Sequence, residues 1–100
     1  MTRAEALALV REIERLAADP TIGDVDKADE VKWRVERLVD APGSPALVRE
    51  KVASIAGWTE ILSSPEKRAT YGGREEITEL LLHDCERLRD VIKDDVRRGD

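Results

Sequence analysis

Apolar side chains return every three or four positions along most of this chain. Ala6, Leu9, Ile13 and Leu16, with Val10 and Ala17 beside them, draw the first such stripe, the spacing of one face of an α-helix. Thr2 followed by Glu5 marks its start as a capping box, in which the two residues reciprocally satisfy open backbone donors. Asp19-Pro20 stops it, because the residue before proline disfavours helical geometry. After the loop Thr21-Ile22-Gly23, a second helix starts near Asp24 or Asp26. Its stripe is Ala28, Val31, Val35 and Leu38, with Val39 at the edge, and Ala41-Pro42-Gly43 ends it.

Ser44-Pro45 and Ser64-Pro65 are two further start signals. A serine can accept from free backbone N–H groups, while proline suits the first helical turn. The first opens a third helix from Pro45 to Leu62. The second opens a short helical turn through Ala69, after which Gly72-Gly73 breaks the chain. A long last helix runs from about Arg74 to Arg97, with Ile77, Leu80, Leu81, Leu88, Val91 and Ile92 as its stripe. No segment alternates at a period of two, so no strands are predicted. Connections of roughly three to eleven residues suit antiparallel neighbours. The pattern predicts an all-α, single-domain, up-down four-helix bundle. Residues 1–43 form its N-terminal helical pair, and residues 44–100 a long antiparallel hairpin.

The third helix carries more apolar surface than one core needs. Val48, Val52, Ile55 and Leu62 make one line, and Leu47, Trp58 and Ile61 a second about a quarter-turn round. Either this helix touches two neighbours within its own bundle, or it is also covered by another chain. Trp33 lies far from its own helix's stripe, among Asp29, Glu30, Glu36 and Arg37. An indole there either folds over aliphatic stems or serves as a contact anchor. Leu82, off the main stripe of the last helix and beside Arg89, poses the same choice. Asp84 falls inside that stripe, so its carboxylate is expected at an edge, paired with an arginine or capping a neighbouring helix.

Composition narrows the chemistry. In 100 residues Phe is absent and only Trp33, Trp58 and Tyr71 are aromatic, so the core must be aliphatic. The net charge of −5 argues against nucleic acid as partner. Cys85 stands alone, which rules out an intrachain disulfide. His83 and Cys85, two positions apart, point about 200° apart on a helix and cannot share a metal or form a nucleophile pair. Gly72-Gly73 has no phosphate-loop context. The expectation is a non-enzyme with no cofactor and no metal. With no apolar run near the ~20 residues of a membrane span and no signal peptide, a cytoplasmic protein without a membrane partner is expected.

Two segments resemble a known family. Val52-Ala53-Ser54-Ile55-Ala56-Gly57-Trp58-Thr59-Glu60-Ile61-Leu62 and Glu86-Arg87-Leu88-Arg89-Asp90-Val91-Ile92-Lys93-Asp94 are similar to the dimerisation and phosphoacceptor hairpin of bacterial sensor histidine kinases. The resemblance spans residues 44–96 and implies a helical hairpin that associates across a dimer. The family's phosphoacceptor histidine falls on Ala46 and its motif proline on Lys51. The resemblance therefore implies a degenerate hairpin that keeps the docking surface without the chemistry. The function expected is a non-catalytic interaction module, dimerising or engaging a protein in two-component-type signalling, through Leu47, Trp58, Ile61, Trp33 and Leu82. The alternatives are phosphotransfer through His83, with Arg87 one turn on as a cation, or a small structural subunit of a larger complex.

Overall fold

The computed structural model describes residues 1–19 and 25–99, with the side chains of 25–28 and 94–99 outside that description. The expected loop Thr21-Ile22-Gly23, a helix start at Asp24 and the core position of Ala28 lie outside the described residues. Among the described residues the chain is all-α, with no strand. Five helices follow in order: α1 (Arg3–Ala17), α2 (Val25–Arg37), α3 (Pro45–Leu62), α4 (Pro65–Thr70) and α5 (Arg74–Gly99). A 3-10 turn, Leu38–Asp40, prolongs α2.

Local chemistry sets most of the boundaries. The Glu5 N–H donates to Thr2 Oγ1 at 3.2 Å, starting α1. The Lys67 N–H donates to Ser64 Oγ at 3.4 Å, starting α4. Ser44 departs from expectation, since its side chain makes no capping bond to α3. Its backbone carbonyl accepts the first intrahelical bond, from Val48 N–H at 2.9 Å, as the other two caps do, and Pro45 at the first helical position has no N–H to leave open. The second helix also ends earlier than its pattern suggests. Its α geometry stops at Arg37, and the tighter turn closes with Ala41 N–H on the Leu38 carbonyl at 3.0 Å. Gly43 then takes a φ of +129°, and a β-carbon there would sit 3.1 Å from both the side chain and the carbonyl of Val91. Only glycine lets the chain enter α3 this close to α5.

The helices bury one aliphatic core. Val10 and Ile13 of α1, Val31 and Val35 of α2, and Leu38 meet Val48, Ile55 and Leu62 of α3 and Ile77, Leu81, Leu88 and Ile92 of α5. Packing is most extensive between α3 and α5; α1 lies against α2 and α5, and α2 against α3. The short α4 touches both α3 and α5 beside their connection. The molecule is elongated along the helices, 46 × 21 × 17 Å.

Three stripes need correction. On α5, Leu80 is exposed and Val91 half-buried, whereas Cys85 is fully buried among the aliphatic side chains. The α5 face turned to the core is centred on Leu81 and Leu88, and Cys85 lies on it while Leu80 falls on the opposite edge. On α3, Thr59 completes the buried line that Val52, Ile55 and Leu62 begin. Its hydroxyl donates to the Ile55 carbonyl at 2.8 Å, which satisfies it inside the helix. Leu16 of α1 is only half-buried.

Burial, reinforced by Glu14 and Asp84, pushes the Cys85 thiol up to about 12. Its folded pKa lies above its unfolded one, so its contribution to stability is complete below the unfolded pKa and is lost as pH rises toward the folded value. Alkaline destabilisation beginning near pH 9 is therefore expected to shrink in Cys85→Ala. Urea midpoints at about pH 8 and about pH 10.5 check this, as the pH-induced shift should be smaller in the variant than in the parent. An equal shift in both chains would refute it.

Candidate functional site

The face where α3 and α5 meet away from α1 and α2 gathers most of the unusual side chains. Its centre is a polar cluster inside apolar surroundings. Asp84 of α5 accepts from Ser54 Oγ at 2.5 Å and from Trp58 Nε1 at 2.9 Å, both on α3. The expected arginine partner is absent from this pair of contacts; a hydroxyl and an indole take its place. The reason is positional. Asp84 sits at the edge of the α5 stripe, within reach of the α3 side chains one turn apart that face the same edge. The indole cannot be half-buried cheaply without an acceptor, and the carboxylate cannot without donors, so each satisfies the other.

Trp58 is held on its outer side as well. The Tyr71 ring, in the turn after α4, meets it edge-on with centroids 6.0 Å apart. A shallow cavity of ≈ 340 Å³ opens beside this pair, lined by Gly57, Glu60, Ile61, Lys67, Thr70 and Tyr71. Around the half-buried Trp58, Ile61 and Val91 stand three exposed apolar residues: Leu47 at 42%, Leu80 at 39% and Tyr71 at 49% of their free surface. The helix register connects them. Leu80 precedes Asp84 by one turn on α5 while Ile61 follows Trp58 by one turn on α3, and the two helices pair at Asp84. Gly43 against Val91 places the start of α3, and with it Leu47, at the other end of the same face.

Of the residues singled out from the sequence, Leu47, Trp58 and Ile61 thus share one face, and Trp58 and Ile61 also pack against the core. The inner members of the second stripe, Trp58 and Ile61, are half-buried within the chain's own fold, while Leu47 stays open. Leu82 lies elsewhere. It packs against the core on the line of α5 that includes Thr78 and Arg89, which border α1. Trp33 is 41% exposed but already stacked, with the Arg34 guanidinium 4.3 Å and that of Arg37 5.9 Å from its ring centre. Its Nε1 donates to Glu30 at 3.3 Å. Arg34 in turn ties Glu30 at 2.7 Å and Glu12 of α1 at 2.8 Å. The indole is thus the outer layer of an α1–α2 ion-pair network, away from the α3–α5 face.

His83 is exposed, and its Nε2 accepts from Arg87 Nε at 3.0 Å. The cation expected one turn on is present, and it engages the ring nitrogen directly. Among the described residues no group of three His, Cys, Asp or Glu side chains converges as a metal site would require. Among the described residues no helix is long and apolar enough to cross a membrane.

Sequence reasoning missed three members of this face. Ser54 and Tyr71 carried no periodic signal. Leu80 departs from the predicted core stripe because it stands in the run Leu80-Leu81-Leu82, whose members periodicity alone does not sort cleanly between faces. Comparison with known protein families, with curated proteins and with solved structures found no match to this chain.

Proposed function

We propose that this protein is a non-catalytic helical interaction module that docks another protein chain on its α3–α5 face. The observation that carries the reading is the exposure of Leu80 and Tyr71 beside a Trp58 held by Asp84 and Tyr71, with Leu47 exposed farther along the same face. Aromatic anchors fixed by hydrogen bonds and ringed by apolar side chains are what docking sites are made of. The pairing of α1 with α2 and α5, and of α3 with α2 and α5, supports an up-down four-helix arrangement in which α4 only turns the chain. The likeness of residues 44–96 to sensor-kinase hairpins favours a protein of a two-component-type signalling system as the partner. Phosphotransfer through His83 is not adopted, because the neighbouring carboxylates Asp84 and Glu86 would repel a phosphoryl group.

Leu47→Glu/Leu80→Glu tests the reading without touching the core, since both side chains already face water. The variant should keep the parent's helicity and urea midpoint, because surface changes of this kind fall within about 0.5 kcal/mol. Crosslinking in the native cell should then show one adduct made by the parent that weakens at least about tenfold in the variant. An unchanged adduct pattern would remove this face from the function.

A further inference from the structure

A second surface runs along the seam between α1 and α5, on the side of α5 that faces α1. At one end is a groove of ≈ 460 Å³ lined by Leu7, Arg11, Glu14, Arg15, Arg89 and Lys93. Arg89 is paired with Glu14 at 2.5 Å. Beyond that pair, Arg11, Arg15 and Lys93, all exposed, outnumber the one exposed carboxylate on this side of α5, Glu86, and leave a local excess of positive charge on a chain of net charge −5. At the other end is a groove of ≈ 380 Å³ bordered by Asp19, Glu75 and Glu79, with Arg74 as the one cation among the described residues that line it. Glu75 and Glu79 are exposed and one helical turn apart, as are Arg11 and Arg15.

The two ends are related in a specific way. On α5, Leu82 lies seven residues after Glu75 and seven before Arg89. Seven residues make nearly two turns, so all three project along one side of the helix, and the seam from Glu75 to Lys93 is about 27 Å long. Positive charge stands at one end, negative charge at the other, and half-buried Leu82 in the middle. Such a surface is complementary to itself after a half-turn about an axis through its midpoint.

We propose that the α1–α5 seam is a two-fold self-association surface whose partner is a second copy of this chain. Leu82 of each copy lies near the axis, and Arg11 and Arg15 of each face Glu75 and Glu79 of the other. The proposal is independent of the docking role given to the α3–α5 face, which stays open in such a pair. A polyanion such as nucleic acid suits the basic end alone and leaves the acidic end repelled, whereas a second copy satisfies both. The seam is small for a specific interface, so the pair should be weak and salt-sensitive.

Charge exchange tests this. Sedimentation velocity at low salt should show a dimer that dissociates as salt rises. Arg11→Glu/Arg15→Glu and Glu75→Arg/Glu79→Arg should each weaken it at least tenfold while keeping the parent's helicity, because all four side chains are exposed. An equimolar mixture of the two variants should restore a dimer, since one copy then carries acid at both ends and the other base at both ends. A parent that stays monomeric at low salt, or a mixture that does not recover, overturns the proposal. Dissociation by Leu47→Glu/Leu80→Glu instead would place the copies on the α3–α5 face and overturn it too, while leaving the docking role of that face standing.

Discussion

Leu81→Ala is expected to destabilise the fold by about 2–5 kcal/mol, whereas Leu80→Ala, one residue away, should change it by less than about 0.5 kcal/mol. Leu81 is fully buried in the α5 core line, and Leu80 is open on the α3–α5 face. Truncating Leu81 removes the transfer free energy of its side chain and leaves a void that Ile77, Cys85 and Leu88 cannot fill without moving the helix. At about 4–8 °C per kcal/mol for a domain near this size, the loss lowers Tm by more than ~8 °C. Thermal melts followed by circular dichroism separate the two variants. Equal losses at the two positions would mean that α5 is rotated from the orientation described, and both the docking face and the α1–α5 seam would then be misassigned.

The second large effect is expected at Asp84. Asp84→Ala removes the acceptor of Trp58 Nε1 and of Ser54 Oγ together. It should cost about 1–3 kcal/mol, mostly because the half-buried indole donor is left without a partner. Asp84→Asn should cost less, since the amide oxygen still accepts. Trp58→Phe removes the donor and keeps most of the ring. The cycle built from Asp84→Ala and Trp58→Phe should therefore be non-additive, with a coupling of about 0.5–3 kcal/mol in urea titrations. Additivity within ~0.3 kcal/mol would show that the carboxylate and the indole do not depend on each other. Trp58 would then be set by Tyr71 and the core alone. The same cycle with Leu80→Ala in place of Asp84→Ala should be closer to additive, because Leu80 contributes no polar group to the cluster.

The Asp84 cluster shows why a helical pattern locates a face more readily than it explains one. The position of Asp84 at the edge of an apolar stripe was legible, as was the need for a donor. Which donor answers was not, because Ser54 and Trp58 lie 30 and 26 residues away and only the side-by-side packing of α3 and α5 brings them there. Trp33 makes the converse case. Its position among charges was plain in the sequence, and the contacts that occupy it are mostly local: Glu30, Arg34 and Arg37 all lie within one turn on the same helix.

By itself the sequence determined the all-α class, the start of α1 at its capping box, the two Ser-Pro helix starts and the bounds of α3. These depend on propensity, capping and breaking residues that act within a few positions along the chain. It also determined that Leu47, Trp58 and Ile61 share one side of α3, because a helix has a fixed angle per residue. The tertiary structure alone decided that Leu80 faces water while Cys85 and Thr59 are buried, that Asp84 is answered by α3, and that charge is divided between the two ends of the α1–α5 seam. Those outcomes depend on how the helices are rotated about their axes and set against one another. That rotation is fixed by the summed burial of side chains from every helix, a quantity no single segment carries.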